Sequence, residues 1–202
     1  MSRPCLLLAP AAVRLARSMT GLFLAITVFA QDQPVRFGTT VVVPGGLSGV
    51  IYHVPRYTKK LPDFRRMKPV GTIYTSSLNI PPQDFRDGFP GVTKRFEWFA
   101  IDYTGRFWIE KPGMYNFVLT ADDGAILYLD GRELIDNDGQ HAPSDVAGSV
   151  ELSKGVHAIR VSYFQGPRWQ VALVLKVAGP GERLRIFNTD EFKPVSADEL
   201  AK

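Results

Sequence analysis

The chain has 202 residues, 45% hydrophobic and 22% charged, a globular composition that excludes a disordered or collagen-like polymer. Eighteen Gly and fifteen Pro supply many turns, thirteen Phe and seven Tyr favour strands, and a single Cys excludes a disulfide framework or a Cys-rich metal site. The net charge of +4 points at first to an acidic partner such as nucleic acid, but the charges are unevenly placed.

Arg14 and Arg17 precede an uncharged stretch from Ser18 to Ala30, with an apolar centre and small or apolar residues at Val28 and Ala30. This pattern predicts an N-terminal signal helix, residues 1–30, cleaved before Gln31. The run is well short of the roughly 20 apolar residues that span a bilayer, so no transmembrane span is expected in the mature chain. The lone thiol, Cys5, lies ahead of the apolar run and would leave with the signal. Arg3, Arg14 and Arg17 would leave too, and no acid, so 21 basic residues would face 20 acidic ones. The basic excess therefore belongs to the signal. What remains is local: Arg36 to Lys111 is predominantly basic, whereas Asp122 to Asp145 holds seven acids against Arg132 alone.

Beyond Ala30 no amphipathic helix of ten residues is discernible, and prolines punctuate the first half too often for one. Residues 31–44 read as an N-terminal strand or linker ending at Pro44-Gly45-Gly46. A β-domain is expected over 45–179, followed by a C-terminal tail, 180–202. Short strands are predicted at Gly49–Val54, Thr72–Thr75, Phe96–Tyr103 and Phe107–Glu110. Tyr115, Phe117 and Leu119 then share one face at period two. Asp122-Asp123-Gly124 turns the chain into Ala125–Leu129, and Asp130-Gly131 is a strong hairpin signal. Val150–Leu152, His157–Phe164 and Trp169–Val177 complete the set, with His157 expected to face away from Ile159 and Val161. The fold class is therefore all-β, an antiparallel β-sandwich or closed barrel.

Enzyme signatures are weak. His53, His141 and His157 have no zinc-ligand spacing, and Ser144, Ser149, His141 and Asp145 share a polar region without a nucleophile-elbow motif. No phosphate loop is present, nor a basic stripe interleaved with aromatics, so neither catalysis nor nucleic-acid binding is expected.

Gly113-Met-Tyr-Asn-Phe-Val-Leu-Thr-Ala-Asp-Asp-Gly-Ala-Ile-Leu-Tyr-Leu-Asp-Gly131 resembles the centre of a PA-fourteen domain, the β-sandwich module of protective antigen, glycosidases and fungal adhesins. Gly46–Tyr52 resembles the family's opening strand, Trp98–Trp108 its aromatic strand pair and Gly148–Tyr163 its return hairpin. The resemblance implies a two-sheet antiparallel sandwich used to bind carbohydrate outside the cytoplasm. In the sugar-binding members two adjacent aspartates joined by a cis peptide hold calcium, which by resemblance would be Asp122 and Asp123. Calcium takes six to eight hard oxygen ligands, and sugar hydroxyls could complete the shell. The alternative is that Asp122-Asp123-Gly124 is a hairpin turn.

The second family loop corresponds to Phe164–Trp169. Gln165 stands where fungal members usually carry Asn, a departure that would alter the calcium geometry; Trp169 would stack on a sugar or form a core or rim aromatic, and Arg168 would meet an acidic group. Asp136, Asn137, Asp138 and His141 form an oxygen-rich loop, either accessory to the site or a polar turn. Two functions are in view. One is an exported carbohydrate-binding module, secreted or periplasmic and calcium-dependent; the other is a non-catalytic assembly module contacting an envelope protein.

Overall fold

A computed structural model describes residues 45–84, 95 and 97–194. The expected signal, residues 1–30, and the whole of the expected linker, 31–44, lie outside the described residues, as does the end of the tail. The described residues form eleven strands: β1 (Leu47–His53), β2 (Pro69–Thr75), β3 (Asn79–Asp84), β4 (Phe99–Ile109), β5 (Gly113–Asp122), β6 (Ala125–Leu129), β7 (Arg132–Asn137), β8 (Ser144–Leu152), β9 (Gly155–Gln165), β10 (Gln170–Ala178) and β11 (Arg185–Ile186). The only helical piece among the described residues is a single 3₁₀ turn, Phe64–Arg66, capped by the Asp63 carboxylate.

The strands build two antiparallel sheets. One has the order β2-β1-β4-β9-β6-β7; the other runs β11-β10-β5-β8, with β3 also on β10. Their inner faces share one core, in which Phe99, Ile101, Tyr103 and Val161 of the first sheet meet Phe117, Leu119, Leu173 and Leu175 of the second. β5 follows its sequence pattern, with Tyr115, Phe117 and Leu119 buried and Met114 exposed. At Asp130-Gly131 both residues have positive φ, 49° and 76°, the backbone that a type I′ hairpin turn requires between β6 and β7.

Several expectations give way. Phe96–Tyr103 and Phe107–Glu110 are not a strand pair: Phe99–Ile109 is one continuous strand, since Gly105 lies within it against Leu47. The supposed return hairpin spans both sheets, because β8 pairs with β5 while β9 pairs with β4 and β6. Asp122-Asp123-Gly124 is likewise no hairpin turn; it carries the chain from β5 in one sheet to β6 in the other. The two Pro of β3 hid it from sequence reading, yet they are compatible with an edge position. Phe187 and Phe192, within the expected tail, close the core against Phe107.

A second, smaller cluster lies outside the first sheet: Val54, Phe64, Trp98, Ala100 and Phe164, flanked by Tyr52, Leu61 and Met67. It explains why β9 stops alternating and buries every residue from Val161 to Gln165. The β1–β2 connection covers that face of the sheet. No helix among the described residues is long and apolar enough to cross a membrane.

His157 shares a face with Ile159 and Val161, as residues two apart must, and is buried rather than turned away from them. Its Nδ1 lies 2.7 Å from Asp130 Oδ2 and its Nε2 2.8 Å from the Ser153 carbonyl. Burial opposes the imidazolium, but Asp130 and the Ser153 carbonyl outweigh it and raise the His157 pKa. Burial also opposes the Asp130 charge, and bonds from His157 and the Ala158 amide overcome it, lowering that pKa. The pair therefore stabilises the fold above the ordinary Asp range, and its contribution is lost as pH rises through the elevated His157 value. Urea unfolding at about pH 5.5 and about pH 8.5 should show His157→Gln costing more at the lower pH. An equal cost at both would reject the charge contribution.

Candidate functional site

The sheet-crossing corner sets two carboxylates side by side. The Asp122–Asp123 peptide bond is cis, as the resemblance implies. Both residues are buried, at 6% and 4% exposure. Asp123 Oδ2 accepts the Gly166 amide at 2.5 Å, and the Phe164 amide donates to the Gly124 carbonyl at 2.9 Å, tying the corner to the end of β9. The Tyr163 hydroxyl lies 2.8 Å from the Asp122 carbonyl and 2.5 Å from Gln165 Oε1.

A cavity of about 290 Å³ opens beside the pair, lined by both aspartates, Gln140, His141, Ala142, Pro167, Trp169 and Gln170. Burial, reinforced by the neighbouring Asp123 charge and partly offset by His141, pushes Asp122 up to about 7. Burial likewise lifts Asp123 to about 6, against the amides of Gly166 and His141 and the His141 charge. Two carboxylates forced together out of water favour protonation or a bound cation. A larger cavity, about 760 Å³, opens at the opposite end of β6. Asp130 and His157 line it but are already bonded to each other, so the smaller cavity holds the more suggestive chemistry.

The other sequence candidates are distributed around this centre. Trp169 is a rim residue and not a core one, 82% exposed at the cavity mouth just before β10. Arg168 is exposed on the same loop, outside the cavity lining, with its amide 3.4 Å from Glu97 Oε2. Gln165 is fully buried behind the loop. Its oxygen is engaged by Tyr163, while its Nε2 donates to the carbonyls of Pro167 and Gln170. The amide thus shapes the loop from beneath.

The accessory loop divides. His141 lines the cavity, whereas Asn137 is buried at the end of β7 and donates to the Leu119 and Ser144 carbonyls. Asp136 accepts the Asp138 amide, and Asp138 accepts the Leu61 amide at 2.9 Å, reaching across to the β1–β2 connection. Burial raises the Asp138 pKa despite that bond. Gln140 and Gln170 escaped sequence reading. Both flank segments singled out for other reasons, and neutral amides in polar loops carry no pattern of their own.

The nucleophilic set assembles only in part. Ser144 Oγ lies 3.3 Å from His141 Nδ1 but donates to Asn137 Oδ1, whereas Asp145 accepts the Thr120 hydroxyl and Ser149 donates to Asn116. No group of three or more His, Cys, Asp or Glu among the described residues is arranged to hold a metal. The donor set still suits a hard cation: two adjacent carboxylates provide its start, and six to eight oxygens require water or ligand for the rest.

The PA14 domain model matches residues 46–187. The chain belongs to the PA14 domain family. Among solved structures it is similar to the PA14 domain of the MpAFP antifreeze protein, with 18% identity, TM-score 0.59, and coverage of 72% of this chain and 88% of that one. A PA14 sugar-binding domain from an RTX adhesin is also 18% identical, with TM-score 0.57 over 72% of this chain and 96% of that one. The Epithelial Adhesin 9 A domain from Candida glabrata, solved with Galβ1-3GlcNAc, is 15% identical, with TM-score 0.56 over 78% of this chain and 94% of that one. An anti-sigma factor domain-containing protein matches at 21% identity and TM-score 0.58; the chain spans about half of its length, 49%, with 75% of this chain covered. These likenesses establish the PA14 fold. No curated protein sequence matches the chain.

Two substitutions probe the corner. A Cβ on Gly124 would stand 2.5 Å from Phe164 Cε1 and 2.6 Å from the Gly139 nitrogen, so Gly124→Ala should lower unfolding free energy by about 1–3 kcal/mol. Because the folded Asp122 pKa is raised, its favourable state is the protonated one, and its stability contribution falls as pH climbs from the unfolded value through about 7. Asp122→Asn should therefore stabilise the metal-free protein at about pH 8, by about 1 kcal/mol after solvent screening, and lose that advantage near pH 4. Denaturant titrations at the two pH values measure both effects.

Proposed function

We propose that this PA14 domain is a non-catalytic carbohydrate-binding module acting outside the cytoplasm, with calcium at the Asp122–Asp123 corner. The observation that carries the reading is the buried carboxylate pair facing a small cavity with an exposed indole at its mouth. Uncompensated neighbouring carboxylates match a divalent cation, and a solvent-facing Trp beside polar amides matches the alternating apolar faces and hydroxyl edges of a sugar. The sugar-binding adhesin domains of the same fold support that reading.

Asp122 and Asp123 would ligate the ion. Gln165, whose oxygen is engaged by Tyr163, would act chiefly by holding the Gly166–Trp169 loop, and Arg168 would face the ligand from outside the cavity. When bound, calcium would neutralise the pair and offer open coordination positions to vicinal hydroxyls. His141 and Gln140 would orient hydroxyls at the opposite wall, while Asp136, Asn137 and Asp138 fix the loop that presents them.

Calorimetry with calcium should give one site per chain, lost in Asp122→Asn and weakening as pH falls below about 6, where protons compete for the carboxylates. A glycan array should then give a chelator-sensitive signal that Trp169→Ala reduces roughly tenfold. Absence of both calcium binding and glycan signal would reject the proposal. The commitment of Gln165 to Tyr163 favours a second reading, a protein-contacting assembly module of the cell envelope. Recovery of an envelope partner by a chain that binds no glycan would support it.

A further inference from the structure

The β1–β2 connection, residues 54–68, carries Arg56, Lys59, Lys60, Arg65, Arg66 and Lys68 against one acid, Asp63. All six basic residues are exposed, and Asp63 is already engaged by Arg65 and Arg66. Its placement is fixed by contacts that lead directly to the candidate site. Val54 donates to the Trp98 carbonyl, and the Tyr57 ring packs against Trp98 at a 59° tilt, with centroids 5.8 Å apart. Trp98 in turn donates to the carbonyls of Gln165 and Gly166, and Gly166 donates to Asp123. From the other side, the Leu61 amide is bound by Asp138, next to the loop holding Gln140 and His141.

We infer that this basic loop is a selectivity rim that directs the site toward acidic saccharides, chains bearing carboxylate or sulfate groups. The inference rests on the carbohydrate-binding reading and names the ligand class of that site. The loop does not line the cavity itself, so the acidic group it would meet belongs to a sugar residue beyond the one seated over Asp122–Asp123. Tyr57, 72% exposed beneath the Arg56 guanidinium, would add a second aromatic face beyond Trp169.

Charge placement separates this ligand from a nucleic acid. A DNA backbone bears charge at every unit and has no vicinal hydroxyls to offer an ion at the Asp122–Asp123 corner. A saccharide can set neutral hydroxyls over the carboxylates and its acidic group over the loop. Such exposed pairing is screened within about 8 Å at physiological salt, so it adjusts selectivity more than it anchors the ligand.

Binding to short soluble oligouronides, neutral oligosaccharides and a DNA duplex, each with calcium present, tests the inference. The full chain should favour the oligouronide, and rising salt should weaken that interaction while leaving neutral sugar unchanged. Replacing Arg56, Lys59 and Lys60 by Gln should lower oligouronide affinity roughly tenfold, with calcium and neutral-sugar affinity intact. Lys59→Glu alone should act in the same direction, with an unchanged unfolding midpoint establishing that the fold persists. Equal affinity for acidic and neutral sugars, unaltered by these variants, would overturn the inference and leave the carbohydrate reading standing. Failure of every saccharide to bind would reject both. Duplex binding as tight as oligouronide binding, insensitive to Asp122→Asn, would overturn the rim in favour of a nucleic-acid surface.

Discussion

The bond from the Gly166 amide to Asp123 Oδ2 joins the two parts of the chain on which the site depends. One end is the corner where β5 leaves its sheet and β6 enters the other; the other end is the loop between β9 and β10. A Cβ on Gly166 would lie 2.7 Å from that same carboxylate oxygen, so the approach is possible because no side chain intervenes. Tyr163 reinforces the junction from within the core, its hydroxyl reaching the Asp122 backbone and Gln165. The Gly166 and His141 amides support the buried Asp123 carboxylate from fixed positions.

That arrangement leaves the carboxylates electrostatically unfinished. Burial raises both pKa values, the Asp123 charge adds to the rise at Asp122, and the Gly166 and His141 amides offset only part of the rise at Asp123. The surrounding sandwich supplies the rigidity: the Phe99, Phe117 and Leu173 core holds the sheets, and the outer cluster around Phe164 holds the loop above them. The His141 ring nitrogens lie near the Ala142 and Asn137 carbonyls, with Ser144 Oγ a longer contact at 3.3 Å.

The outer cluster has a second consequence. By burying Phe64 and packing the half-buried Leu61 it converts the connection into a defined surface, whose charged residues are all basic except Asp63. Acidic corner and basic loop thus occupy one end of the sandwich although they are about sixty residues apart in the chain. The net charge of +4 over the whole chain says nothing of this local polarity.

Period-two burial in β5, the Asp130-Gly131 turn and the aspartate pair were legible in the sequence because each depends on neighbouring residues alone. The family resemblance was legible for the same reason, since it lay in contiguous motifs. Strand partners were not: Asp122–Gly124 and Gly148–Tyr163 look like local hairpins, and only the competition among distant strands for hydrogen bonds assigns their halves to different sheets. Nor could spacing reveal that Gln165 turns its oxygen to Tyr163 or that Trp169 stands in solvent. The sequence by itself determined an all-β chain with a concentrated acidic segment; tertiary structure decided which acids lose their water and face a cavity, because desolvation depends on what packs around a group and not on what precedes it in the chain.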